Sequence, residues 1–365
     1  MQGGRATGDP FAPWVVWRSR ATLSLEERLL VAASLSASSH NSQPWAFVVN
    51  DSVIHVFADC TRNLGALDAR RRDLVASIGC AIESIAIAAS ESGHSAEIKV
   101  VVDRFDRDTL PPRFEIAQIC LHDGGGRSPL VDAIGIRRTD RRPFDPLREV
   151  DESELAVLRD LCRDPVVRLL IPDDMAERDV IGTAVSQATD IIVETPAMVR
   201  ASDRWIRTRT VDIEHSPDGI TLAAAGAPAV LVNVMERLFR PSPRENHASW
   251  PAMTRTGISS ARHMGLLAVR DPFSVPDAIS CGRIWQRLHL AAASAGLAVQ
   301  AFSQIAQVID QRSGRTFPAL EELFAQRLGM GWQPMIAFRL GHSKPPPPGP
   351  SPRRTLSDMM MEKPQ

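Results

Sequence analysis

Laid over itself at a shift of 203 residues, the chain sets Ser77-Ile78-Gly79 on Ser280-Cys281-Gly282. The same shift puts Ile85 on Leu288, Ile87 on Leu290, Ala88-Ala89 on Ala291-Ala292 and Gly93 on Gly296. Each stretch carries apolar residues at helical spacing, stops at a glycine and runs into a strand-like segment. Any two alanine-rich helices match somewhere, but two glycines and a serine in register point to a repeated unit. At 365 residues the chain is also too long for one simple core. The expectation is an α+β fold of two similar halves whose long helices, near 68–90 and 276–294, bury each other.

The remaining elements follow from local signals. Ser24 and Glu27 form a capping box before an apolar-periodic helix over Leu25–Leu35. Strands are predicted over 46–49 and 53–57 about Asn50-Asp51, then over 96–102 and 114–121. A short helix over 130–136, a helix over 152–162, a strand over 166–171 and helices over 174–193 and 223–239 come next. Strands over 266–270, 297–302 and 334–340 complete mixed or antiparallel sheets. Residues 200–260 hold Pro217, Pro228, Pro241, Pro243 and Pro251 and few periodic runs, the pattern of a lid or insertion. The expected units are an N-terminal half over 1–125, a C-terminal half over 126–344 with the lid at 200–260, and a Pro-rich tail over 345–365 opened by the spacer Pro345–Pro348.

Composition narrows the chemistry. With 42 basic and 43 acidic residues the net charge is −1, so no global field recruits nucleic acid or an anionic membrane. The five cysteines are widely spaced with no CxxC pair, which reads as reduced core thiols. No leader-like start is evident, no apolar stretch is expected to span a membrane of roughly 20 residues, and a cytoplasmic location is the expectation. There is no Tyr, which removes the phenol as a proton donor. GxxxxGK[ST], HExxH and GxSxG motifs are absent, Gly124-Gly125-Gly126 lacks GxGxxG spacing, and the nine histidines are scattered, so no metal site is expected.

Two segments carry ligand chemistry. Ser38-Ser39-His40-Asn41-Ser42-Gln43-Pro44-Trp45 leaves the first helix as a run of short donors and acceptors, with Pro44 expected to hold Asn41 to Gln43 in an extended path. Asn41 and Gln43 suit the polar edge of a flat heterocycle. Trp45 is read as a core anchor, and His40 is given no catalytic role. About a hundred residues on, Arg137-Arg138-Thr139-Asp140-Arg141-Arg142 packs four guanidinium groups and a hydroxyl into six positions, a phosphate-binding pattern. Arg70-Arg71-Arg72 opens the first long helix, where positive charge opposes the helix dipole and needs a partner.

With these motifs and the repeated helix, the chain resembles the flavin-dependent nitroreductase family, and most closely its fused, two-domain Acg-like branch. Ser39 to Trp45 is similar to that family's Ser-x-Asn-x-Gln-Pro-Trp loop, and Arg137 to Arg141 to its phosphate motif. The resemblance implies a nitroreductase-like fold duplicated in one chain, a monomeric pseudo-dimer with FMN between its halves. It implies cofactor contacts from Ser39, Asn41, Gln43, Arg137, Arg138, Thr139 and Arg141. Gly296 to Gln304 resembles the loop that approaches the flavin's reactive nitrogen, which adds Phe302 and Ser303; Ala301, Ser303 and Gln304 depart from the family's Pro, Glu and Gly. Arg353-Arg354 resembles the closing basic pair that returns to the phosphate. One good copy of each motif implies one FMN per chain. The implied activity passes electrons from NAD(P)H through FMN to a nitroaromatic, quinone or similar small acceptor, the flavin carrying the chemistry with no protein nucleophile. A flavin-sequestering protein with a lidded site and a flavin-free scaffold stand as alternatives.

Overall fold

The computed structural model describes residues 8–50, 52–104, 111–226, 247–311 and 316–361. The first half runs α1 (Ala12–Arg18), α2 (Leu25–Ser34), β1 (Trp45–Asn50), β2 (Val53–Asp59), α3 (Arg72–Ser90), β3 (His94–Val100) and β4 (Arg113–Asp123). The capping box closes α2 as its sequence requires: Glu27 N–H donates to Ser24 Oγ at 3.1 Å and Ser24 N–H to Glu27 Oε2 at 2.9 Å. The strands form an antiparallel sheet in the order β1-β2-β4-β3.

The second half begins with α4 (Glu152–Leu161), β5 (Val167–Leu170) and α5 (Met175–Glu194). An insert follows, with α6 (Pro196–Asp203), β6 (Ile206–Arg207), α7 (Thr210–His215), β7 (Ile220–Thr221) and α8 (Trp250–Ser260). Then come β8 (His263–Val269), α9 (Val275–Ser294), β9 (Ala298–Phe302), α10 (Gln304–Asp310), α11 (Pro318–Arg327) and β10 (Gln333–Gly341). The second sheet is antiparallel in the order β5-β8-β10-β9. The two sheets thus share one topology: the second and edge strands are joined by a long helix, α3 in one and α9 in the other. The expected α+β class with antiparallel sheets is what the chain adopts.

α3 and α9 pack along their length at the centre. Cys80 Sγ lies 3.3 Å from the Gly282 carbonyl oxygen, Gln286 Nε2 donates to Ser84 Oγ at 3.0 Å, and the buried Glu83 carboxylate receives Arg283 Nε at 2.8 Å and also pairs with Arg287. A continuous apolar core runs through both halves, from Trp17, Trp45 and Phe47 to Leu267 and Phe338. Trp45 is fully buried, with its indole N–H on Met359 Sδ at 3.2 Å, and so is the core anchor expected.

Three expectations need correction, and a fourth lies mostly outside the described residues. α3 begins at Arg72 rather than 68, because the Asp68 carboxylate caps it from outside, accepting from Asp73 N–H at 3.0 Å and Leu74 N–H at 2.9 Å. With 19 residues and a mean hydropathy of 1.5, α3 is long and apolar enough to cross a membrane, contrary to expectation, yet 94% of that stretch is buried inside the protein. Residues 130–136 form only a short 3₁₀ turn, Asp132–Gly135. The helix expected over 223–239 falls outside the described residues beyond Gly226, and Ala223–Gly226 form a turn.

The chain's end re-enters the first half after its proline spacer. Arg353 N–H donates to the Pro10 carbonyl at 2.7 Å, the short helix α12 (Leu356–Met359) packs beside β1, and Met361 N–H reaches the Phe47 carbonyl at 2.8 Å.

Candidate functional site

A cavity of about 620 Å³ is walled by both halves. From the first half come Ser38, Ser39 and His40 of the loop after α2, and Asp73, Ala76, Ser77 and Cys80 along one face of α3. From the second come Thr139, Arg141, Trp285, Gln300, Ala301, Ser303, Gln304 and Gln307. The insert supplies a further wall through Ser202, Thr221, His247 and Trp250. The volume is within the range of small-molecule and cofactor sites.

The loop after α2 is not extended. His40, Asn41 and Gln43 take positive φ values of 51°, 54° and 50°, and Ser39–Asn41 curl into a 3₁₀ turn. Three non-glycine residues in the left-handed region are held there by tertiary bonds. The curl turns Ser39 and His40 to the cavity and Asn41 and Gln43 away from it. Asn41 Nδ2 donates to the Gly219 carbonyl at 3.2 Å and the Pro352 carbonyl at 2.9 Å, while its Oδ1 accepts from Arg353. Gln43 Nε2 donates to the Pro217 carbonyl at 3.0 Å, and its Oε1 accepts from Arg354 N–H at 2.9 Å. Both amides, expected to read a ligand's edge, are spent on pinning the insert and the returning tail, as buried amides must be somewhere.

The arginine segment lies extended beside β9, with Thr139 bridged to Val299 and Asp140 N–H on the Val299 carbonyl at 3.1 Å. Side chains therefore alternate. Thr139 and Arg141 face the cavity, whereas Asp140 turns away and binds Arg142 at 2.6 Å. Arg142 also donates to the Pro346 carbonyl at 2.7 Å and Ser343 Oγ at 2.9 Å, so it is a tether. Among the described residues Arg141 donates to one carbonyl, that of Ala224 at 3.0 Å, and burial pulls its guanidinium down to about 10.

Arg137, Arg138 and Arg353 gather behind the cavity wall with no carboxylate partner among the described residues. Arg137 donates to the Leu35 carbonyl at 3.0 Å and sits 3.4 Å from His289 Nδ1; His289 Nε2 is 3.0 Å from the Arg138 carbonyl, which fits a neutral imidazole. Burial together with Arg137 holds His289 well below its ordinary value. Arg138 and Arg353 lie over the Trp14 ring at 3.7 and 5.0 Å. The Nε atoms of Arg137 and Arg353 are buried without a hydrogen-bond partner among the described residues. Burial lowers Arg137 to about 10 and Arg138 to about 9; Arg353 is pushed well down by burial and then by the other two. Such a cluster is costly alone and suited to an anion.

In the cavity wall, the buried Asp73 carboxylate accepts from Ser39 Oγ at 3.0 Å and Gln307 Nε2 at 2.8 Å. Burial lifts it to about 6 and the neighbouring Asp68 to about 8, the latter also repelled by Asp73. Arg72, whose charge required a partner, forms a buried pair with Asp310 and donates to the Pro334 carbonyl at 2.7 Å.

Of the residues expected at the site, Ser39, Thr139, Arg141 and Ser303 line the cavity. Asn41, Gln43, Arg137, Arg138, Phe302, Arg353 and Arg354 do not; Phe302 is packed in the core, and Arg354 holds the Gln43 and Trp45 carbonyls at 3.0 and 2.9 Å. Asp73, Gln307 and His247 were missed. The first directly follows an arginine run and the other two lie in segments without a motif, so only proximity in space marks them. No cluster of three or more potential metal ligands occurs among the described residues.

No family model matches the chain. It is 24% identical over 339 residues to an uncharacterized protein of Mycobacterium tuberculosis, covering 91% of each chain. It is 24% identical over 338 residues to a protein of the same organism that carries the provisional name NAD(P)H nitroreductase acg, covering 90% of this chain and 92% of that one. Among solved structures, the FMN- and NADPH-dependent nitroreductase NfnB of Sphigopyxis sp. strain HMH aligns with a TM-score of 0.41 at 16% identity, over 65% of this chain and 100% of its own.

Proposed function

We propose that this chain, a member of the nitroreductase family, is an oxidoreductase that holds one FMN in the cavity shared by its two halves. The observation that carries the reading is the cluster of Arg137, Arg138 and Arg353, buried, among the described residues, without a carboxylate and with two Nε atoms unpartnered, beside a cavity that Arg141 and Thr139 line. Forked permanent cations and a hydroxyl are what a phosphate dianion requires. Arg137 is electrostatically linked to Arg141 and Cys80, both in the cavity wall, which ties the cluster to the site. When bound, FMN would take electrons from NAD(P)H and deliver them to a small electron-poor acceptor such as a nitroaromatic or a quinone.

The chain's own groups divide the remaining tasks. Ala76, Ser77 and Cys80 present a low wall on α3, flat enough for a ring system. Ser39, Asp73 and Gln307 form a hydrogen-bonded polar edge of the cavity. With Asn41 and Gln43 committed to the insert and tail, polar contacts to a ring would come from Ser39, Gln300 and Gln304.

One site per chain follows from the same repeat that shapes the fold. A shift of 203 residues takes Ala76 to Ile279, Cys80 to Arg283 and Asp73 to Pro276. Ile279 is buried and Arg283 is bound to Glu83, so larger side chains fill the place where a second wall would stand.

A storage role is favoured by one observation: the insert is fastened over the site. Asp218 is buried between Arg62 and Arg207, and Gly219 N–H donates to the Asn41 carbonyl at 3.3 Å. The visible spectrum of purified protein, before and after anaerobic NADPH and with released flavin counted, tests both readings. Flavin bands near one equivalent that bleach support the oxidoreductase. Bands that persist support storage, and colourless protein that stays colourless with added FMN overturns both.

A further inference from the structure

Asp73 stands in the first turn of α3 and lines the cavity, with 5% of its surface exposed. Both donors that reach its side chain use the same oxygen: Ser39 Oγ at 3.0 Å and Gln307 Nε2 at 2.8 Å converge on Oδ2. Ser39 is itself pinned, its N–H donating to Ser77 Oγ at 3.0 Å. The carboxylate is thereby held in one orientation, and Oδ1 accepts from no group among the described residues. Unlike the Nε atoms of Arg137 and Arg353, Oδ1 is not sealed off; it opens on the cavity that Asp73 lines.

An acceptor so placed needs a donor. Asp73 makes no ion pair among the described residues, since the adjacent Arg72 is committed to Asp310 and to the Pro334 carbonyl. Burial lifts the carboxyl to about 6, so near neutrality it is an anion, the form that the amino end of α3 favours. A buried carboxylate oxygen without a donor is costly, and an N–H that reaches it makes a charge-assisted bond. On the polar edge of an oxidised isoalloxazine, N1, N5 and the carbonyl oxygens are acceptors, and the imide N3–H is the donor. Asn41 and Gln43, expected to read that edge, are spent on the insert and the tail.

We propose that Asp73 Oδ1 accepts the imide N3–H of the flavin, so that the site selects flavins whose N3 is unsubstituted. A carboxylate clamped by Ser39 and Gln307 then takes the part expected of an amide in the 38–45 loop. The inference rests on the reading of this cavity as an FMN site. Asp73 touches the cofactor; Ser39 and Gln307 are positioning residues.

The test is titration of the full protein, stripped of any bound flavin, with FMN and with 3-methyl-FMN, followed by flavin fluorescence. Wild type should bind FMN at least about tenfold more tightly than the methylated probe. In Asp73→Asn the amide oxygen stays with the Ser39 and Gln307 donors, which sets its NH₂ group against the imide, donor to donor. FMN should weaken about tenfold to a hundredfold in this variant, and its preference over 3-methyl-FMN should fall by at least about fivefold. In wild type the ¹⁵N resonance of N3 in labelled FMN should move downfield on binding, with its proton slow to exchange. The same preference in both proteins overturns the proposal. So does an N3 resonance that stays at its free position, a readout that needs no variant to fold. FMN that binds with N3 unmoved leaves the flavin reading standing and overturns this one alone, whereas absence of FMN binding overturns both.

Discussion

Gly79 and Gly282 meet where the two central helices cross. A Cβ placed on Gly79 would stand 3.1 Å from the Gly282 Cα, and one placed on Gly282 would stand 2.7 Å from the carbonyl carbon of Ala76. These are the residues that the 203-residue shift superposes, so each half contributes the same glycine to the same contact. The close approach lets Cys80, Glu83 and Ser84 reach across to α9. Either Gly79→Ala or Gly282→Ala forces backbone apart along the central packing, with an expected loss of roughly 2–4 kcal/mol. Gly126→Ala, where nothing lies within 4 Å, should change stability by less than about 0.5 kcal/mol. Urea unfolding of the three variants measures the contrast.

Arg141 is the one guanidinium of the arginine segment that lines the cavity. Arg141→Gln should weaken FMN by about tenfold to a hundredfold, the worth of a charged hydrogen bond to phosphate. Riboflavin, which lacks the phosphate, should bind both proteins alike. Quenching of flavin fluorescence on titration gives both affinities; an equal loss for the two flavins would place Arg141 at the ring instead.

Asp68 is a buried cap whose carboxyl is raised to about 8 in the folded state from an ordinary value of 3.8. The folded protein therefore holds this proton more tightly than the unfolded chain. Its contribution is fully present below about pH 4 and is lost as pH rises through about 8. Asp68→Asn removes the charge and keeps one acceptor oxygen for the two N–H groups, so one of the Asp73 and Leu74 bonds is lost at every pH. The melting temperature of the variant relative to wild type should rise by roughly 2–5 °C between pH 4 and pH 9; thermal melts across that range check the trend.

Asp218 fastens the insert to the first half through Arg62 and to β6 through Arg207. Asp218→Ala leaves two guanidinium groups facing a void and frees the 216–221 turn from Arg62. The expected outcome is FMN dissociation at least about tenfold faster, with stability reduced by roughly 1–3 kcal/mol. Dilution of loaded protein into apoflavodoxin, followed by fluorescence, gives the rate. An unchanged rate would mean that this wall does not gate the site.

Much of the fold is legible in the residues. Helical periodicity placed α2, α4, α5 and α9 within a few residues, because each buries one stripe against a sheet or helix and caps with local side chains. The 203-residue repeat anticipated both the matching topology and the crossing of α3 on α9. The site was less legible. Of the phosphate-motif residues, Thr139 and Arg141 line the cavity and Arg137 and Arg138 do not, because the pairing of the segment with Val299, which sets the side-chain alternation, is a long-range contact. Asn41 and Gln43 were misplaced because the left-handed turn at His40, Asn41 and Gln43 is imposed from outside the loop.

What the sequence by itself determined is what depends on near neighbours: helix stripes, caps and the small residues that let two helices touch. What only the tertiary structure decided is which polar groups are free to meet a ligand. A buried amide or guanidinium bonds whatever the fold brings beside it. For Gln43 that is Pro217, for Asn41 it is Pro352 and Arg353, and for His247 it is Asp203 on one nitrogen and, among the described residues, nothing on the other. Those partners lie 174, 311, 312 and 44 residues apart in the chain, beyond the reach of any local rule.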